Sequence, residues 1–149
     1  MREHTNVLAR FGVGQPVPPV ELVPDEIMLL RFGAATRNTH RIHYDTAFAR
    51  CEGLDGPVVM AQLHGCLFHR AAADFAGPAG RVREVAWQNR APAYPGDLLR
   101  VSGTVREVDP ATAEVTLELV EHRVKGEAAD GDGPGGIVCC RGHAVIVLG

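Results

Sequence analysis

The densest group of chemically capable side chains is Arg37-Asn38-Thr39-His40-Arg41-Ile42-His43-Tyr44-Asp45, which holds two His, two Arg, one Asn and one Asp. Imidazoles beside an amide suit proton transfer, because histidine titrates near neutral pH and an amide orients water without taking its proton. Polar groups that converge in a short loop are what an acid/base site requires. The same residues raise a metal: His40-x-x-His43 has ligand-like spacing, and Asp45, His64 or His69 would have to complete the set. His64 and His69 are five apart, so on a helix they project roughly 140° from each other and do not converge. H-E-x-x-H is absent, and no metal is expected. A nucleophile has no better support. G-x-S-x-G is missing, Ser102 is the single serine and lies in an alternating stretch, and Cys66 sits in an apolar helical run. No G-x-G-x-x-G opens a helix after a strand, so a redox cofactor lacks its fingerprint. Proton transfer without a covalent intermediate or a cofactor is the class that remains.

The elements around this loop follow from hydrophobic period. Residues 12–24, with Pro16, Pro18, Pro19 and Pro24, form neither a regular helix nor a central strand and read as an extended lead-in. Residues 25–35 carry apolar rows at Ile27, Leu30, Ala34 and Met28, Phe32, Ala35, which predicts a helix with Asp25 and Glu26 at its N-terminal dipole end. A short helix over Asp45–Glu52, capped by Asp45 and stopped by Gly53, follows the polar loop. The longest helical stretch is Val58–Ala76, with rows Leu63, Leu67, Ala71 and Phe68, Ala72, Phe75. A helix so apolar must be wrapped on most sides. The second half supplies the wrapping by switching to period 2 over Val82–Arg90, Leu99–Val108, Glu114–Val120 and Ile137–Leu148. Pro95-Gly96-Asp97 and Asp109-Pro110-Ala111-Thr112 mark turns, and the glycine-rich Gly126–Gly136 reads as a mobile hairpin loop. Helices first and antiparallel strands after is the α+β pattern, with one long helix against one curved sheet.

Composition narrows the class further. The 149 residues fit one domain spanning 1–149, large enough to bury a core without a disulfide or metal staple. The net charge of −3 argues against a nucleic-acid partner. No apolar run approaches the ~20 residues of a membrane helix, and Met1–Arg10 lacks a signal-peptide core. A cytoplasmic protein is expected. Cys51, Cys66, Cys139 and Cys140 form no C-x-x-C pair and read as buried small hydrophobes, with Cys139 and Cys140 on opposite faces if they lie on a strand.

The stretch Asn38-Thr39-His40-Arg41-Ile42-His43-Tyr44-Asp45, followed by Ala47, Ala49, Gly53 and Gly56-Pro57-Val58-Val59, resembles the hydratase motif of MaoC-like hot-dog proteins. These are the (R)-specific enoyl-CoA hydratases and 3-hydroxyacyl-thioester dehydratases. Ala91-Pro92-Ala93-Tyr94-Pro95-Gly96-Asp97, Gly103-Thr104-Val105 and Gly142-His143-Ala144-Val145 extend the resemblance over most of the chain. It implies a single hot-dog fold, with a long helix wrapped by an antiparallel sheet. It also implies a second subunit, as a homodimer or as a heterodimer with another hot-dog chain. The implied reaction is reversible hydration of a trans-2-enoyl thioester of CoA or acyl-carrier protein.

By the same resemblance His43 takes the place of the catalytic histidine. Asn38 stands where the commoner pattern has Asp, and would position the water. Met60-Ala61-Gln62 stands where the family usually has a Gly, and the N–H groups around Ala61 and Gln62 would bind the thioester oxygen. His40 either orients its neighbours or is a solvated loop residue. Gln62 and His64 either line the pocket or face solvent. Asp45 reads as a helix cap, Arg41 as surface or pocket rim, and Arg90 as a strand-face residue. Two other readings use the same fold. One is a non-catalytic or partner-dependent subunit that binds an acyl thioester. The other is a thioesterase, which would want an acid near the start of the long helix, where Met60–Leu67 has none.

Overall fold

The computed structural model describes residues 8–124 and 136–149. The glycine-rich turn expected over Gly126–Gly136 lies outside the described residues except for Gly136.

The proline-rich lead-in forms a strand, β1 (Pro16–Leu22), which pairs only with β3 (Leu98–Asp109). A sheet edge tolerates proline's missing N–H, and the register shifts between Val17 and Val20, across Pro18 and Pro19. Asp25 caps α1 (Glu26–Thr36), accepting from the Met28 N–H at 2.6 Å. The buried residues of α1 are Leu29 and Gly33, while Ile27 and Leu30, on one of the expected apolar rows, are exposed. A 3₁₀ turn (Arg41–His43) and α2 (Thr46–Cys51) follow, α2 with Asp45 as its cap.

The long helix is α3 (Ala61–Ala76), three residues shorter at its start than the apolar run suggests. The Val58 and Val59 N–H groups donate to the Ile42 and Ala93 carbonyls, so this segment enters extended and Met60 becomes the N-cap. Leu63, Leu67, Phe68, Ala71 and Ala72 are buried, and full burial of a Leu or Phe side chain contributes about 1.5–3 kcal/mol. Gln62, Cys66, His69, Arg70 and Asp74 form the exposed stripe. Around α3 runs one antiparallel sheet in the order β1-β3-β4-β5-β2, with β2 at Gly80–Asn89, β4 at Glu114–Val124 and β5 at Ile137–Leu148. This is the α+β hot-dog arrangement. No helix among the described residues is long and apolar enough to cross a membrane.

The cysteines divide. Cys51 and Cys66 are exposed, against the expected burial, because one ends α2 and the other falls on the solvent stripe of α3. Cys139 and Cys140 are both fully buried. Glu121 pairs with Cys140 and His122 with Val138, so the register shift leaves Cys139 as an extra residue in β5. The carbonyl of Cys139 accepts from the N–H groups of Arg90 and Ala91. The segment after β2 therefore hangs from this bulge.

Two glycines show contrasting close approaches, one to backbone and one to a side chain. A Cβ at Gly103 would lie 1.9 Å from the Glu118 carbonyl oxygen, whereas one at Gly65 would meet the far end of the Trp87 ring at 2.4 Å. Backbone in a paired ladder has nowhere to go, but an indole can swing. Gly103→Ala is therefore expected to destabilise by about 1–3 kcal/mol or more, and Gly65→Ala distinctly less. In Gly65→Ala the emission of Trp87, the single tryptophan, should move to longer wavelength as the ring leaves its seat. Urea titration followed by fluorescence checks both.

Candidate active site

Val58 ties the polar loop to the start of α3. Its N–H donates to the Ile42 carbonyl at 3.0 Å, and its own carbonyl lies 2.8 Å from His43 Nδ1. A carbonyl only accepts, so Nδ1 carries the proton and Nε2 of the neutral ring is bare. His43 is buried. The nitrogen left for chemistry is one that can take a proton.

The rest of the loop holds this geometry. Asn38 Oδ1 accepts from the His40 N–H at 3.2 Å, which leaves the amide nitrogen of Asn38 without a partner among the described residues. His40 Nδ1 lies 3.3 Å from the Ile42 N–H and caps the 3₁₀ turn, with its ring centroid 6.1 Å from that of His43. No hydrogen bond joins the two imidazoles, so His40 shapes the turn that presents His43. Asp45 accepts from the Phe48 N–H and from Arg41, whose guanidinium also lies over the Phe48 ring. The Phe48 N–H first and Arg41 second hold the Asp45 carboxyl below its ordinary range, and Asp45 in turn raises Arg41. Both side chains are thus committed to the loop.

Asn38, His40, His43, Ala61, Gln62 and His64, separate in sequence, all border one cavity of about 520 Å³. The start of α3 forms part of its wall. Met60 offers no side-chain cap, and the N–H groups of Ala61 and Gln62 find no acceptor among the described residues. An uncapped helix N-terminus favours an oxygen that carries negative charge. Gln62 is exposed at the rim, whereas His64 is buried within the wall. Arg90, expected on a strand face, lies just past β2 and borders the cavity with Asn89 and Pro92.

Sequence reasoning missed the residues behind that wall. His64 Nδ1 lies 2.5 Å from Oε1 of Glu121, which is fully buried on β4. The signal was present: Val115, Leu117 and Leu119 point inward, and continuing the alternation by one step places Glu121 on the same face. Cys140 lies beside the pair and donates to Asn89 Oδ1. Burial first and Glu121 second push its thiol up to about 12.

With this arrangement in view, the sequence model of the hydroxyacyl-thioester dehydratase type 2 family matches residues 14–95, and the chain belongs to that family. It is 25% identical over 115 residues to the 3-oxo-4,17-pregnadiene-20-carboxyl-CoA hydratase beta subunit of Mycobacterium tuberculosis, covering 77% of this chain and 88% of that one. It is 43% identical over 74 residues to mesaconyl-C(4)-CoA hydratase of Chloroflexus aurantiacus, covering 40% of this chain and 26% of the longer protein. Among solved structures it resembles the (R)-hydratase from A. caviae, with a TM-score of 0.79 at 20% identity over 93% of this chain and 98% of that one.

The loop makes a prediction of its own. A carboxyl held low by its partners stabilises the fold above its ordinary pKa, and that contribution is lost as pH falls through the lowered folded value. Asp45→Ala should therefore lower Tm at pH 7, and its gap from the wild type should close as pH drops below about 4. Calorimetry across that range checks it.

Proposed function

We propose that this chain adds water reversibly to a trans-2-enoyl thioester, carried on CoA or an acyl-carrier protein, to give the 3-hydroxyacyl thioester. The observation that carries the reading is His43, buried beside the cavity with Nδ1–H held by the Val58 carbonyl and Nε2 bare. Nε2 takes a proton from water as the oxygen attacks C3, and the Asn38 amide positions that water. Charge moves onto the thioester oxygen as the enolate forms, and the Ala61 and Gln62 N–H groups at the start of α3 stabilise it. In the reverse direction protonated His43 gives its proton to the leaving hydroxyl. Family membership and the names of the CoA hydratases it resembles support the same reaction class.

The working unit in this proposal is one hot-dog domain over 1–149 that pairs with a second hot-dog subunit in the cytoplasm. The Mycobacterium relative is named a beta subunit, which favours a second reading: a chain that binds the thioester and completes a partner's site. Purified protein with crotonyl-CoA and a longer enoyl-CoA separates the two, followed by loss of the conjugated double bond. Hydration by the chain alone supports the enzyme. Binding without turnover supports the partner-dependent subunit.

His43→Ala should lower kcat about 10²–10⁴-fold, the usual worth of a positioned general base, with the circular dichroism unchanged. His40→Ala, which removes a turn cap, should cost distinctly less. Asn38→Ala should lower the rate at every pH, and unaltered activity there would remove Asn38 from the water site.

A further inference from the structure

Glu121 is a costly residue to keep where it is. It is fully buried on β4, in a row continued from Val115, Leu117 and Leu119, and its Oε2 has no hydrogen-bond partner among the described residues. An apolar side chain would extend the row without leaving a carboxylate oxygen unsatisfied in the interior. Among the described residues, the one group the Glu121 carboxylate hydrogen-bonds is His64, at 2.5 Å, and His64 is part of the wall of the cavity that also holds His43. With Nδ1 committed to Glu121, the nitrogen His64 offers a ligand is Nε2.

The two imidazoles therefore have opposite partners. A neutral carbonyl backs His43, which suits a ring that takes a proton. A carboxylate backs His64, which suits a ring that holds one. The other titratable or charged groups near His64 are Cys140 on β5 and, around the cavity, His40, His43 and Arg90. His64, Glu121 and Cys140 also form a group of possible metal ligands. However, two ligand atoms on one tetrahedral zinc lie about 3.3 Å apart, and at 2.5 Å His64 and Glu121 are in direct hydrogen-bond contact, too close to flank one ion.

We propose that His64 is a second catalytic residue, a proton donor to C2 of the substrate in hydration and the acceptor from C2 in dehydration, with Glu121 as its positioning residue. This rests on the hydratase reading above. The water O–H bond breaks with its proton going to His43 Nε2, and the C3–O bond forms. The C2=C3 electron pair passes into the enolate. The enolate then takes the Nε2 proton of His64 at C2, and the proton on His43 returns to His64 through solvent.

The test is the pH profile of kcat/KM for crotonyl-CoA hydration by wild type, Glu121→Gln and His64→Gln. The wild type should show an acid limb from His43 and an alkaline limb from His64. Glu121→Gln should move the alkaline limb to lower pH while the acid limb stays. His64→Gln should remove the alkaline limb and lower kcat about 10²-fold or more, with KM little changed. Variants that lose only Tm, with both limbs unmoved, would make the pair purely structural. A wild type without an alkaline limb overturns the proposal with no variant needed, and so does stoichiometric zinc in the purified protein. A wild type that hydrates no enoyl-CoA removes the hydratase reading itself, and this proposal with it.

Discussion

One residue, Val58, sets the distance between the His43 imidazole and a helix N-terminus. Its N–H fastens the 3₁₀ turn through Ile42, and its carbonyl fixes the ring of His43. Two residues later the chain becomes α3. In the proposed reaction a base and a set of free N–H groups act on one small molecule at the same time, so their separation cannot be left to a mobile loop. Here it is spanned by a short extended segment that is hydrogen-bonded on both sides, because the Val59 N–H also donates to the Ala93 carbonyl.

The segment after β2, whose Asn89, Arg90, Ala91 and Pro92 border the cavity, is held with similar economy. Tyr94 and Asp97 form a tight turn in which Asp97 accepts from the Tyr94 N–H and from Arg123, whose guanidinium lies over the Tyr94 ring. At its other end the segment hangs from the Cys139 carbonyl at the β5 bulge. Of the buried polar residues, His43 and His64 border the cavity, Glu121 backs His64, and Asp97 and Arg123 fix the turn that follows residues 89–92. The remainder of the core is apolar. Polar burial carries a cost, and here it falls on the cavity wall and on the turn beside it.

Much of this was legible in the residues. The period-2 runs located β2 to β5 to within a few positions, and β5 at Ile137–Leu148 agrees at both ends. Capping chemistry identified Asp45 correctly, whereas Asp25, read as an acid inside the first turn of α1, is its N-cap. The start of α3 did not show, because Val58 and Val59 are apolar whether helical or extended and Met60 is no capping residue. Their state depends on partners at Ile42 and Ala93, which are distant in sequence. The burial of Cys139 together with Cys140 depends on a bulge that alternation alone cannot reveal. Glu121 was hidden for a simpler reason: a glutamate near the end of a strand reads as a solvent residue until its phase is counted.

The His43–Val58 hydrogen bond can be examined without substrate, partner or assay. In ¹⁵N-resolved NMR of the imidazole rings, with the His43 signals assigned by their loss in His43→Gln, the neutral ring should carry its proton on Nδ1 and show Nε2 as a bare nitrogen. A neutral His43 protonated at Nε2 would contradict the hydrogen bond to Val58 and leave the proposed reaction without its base.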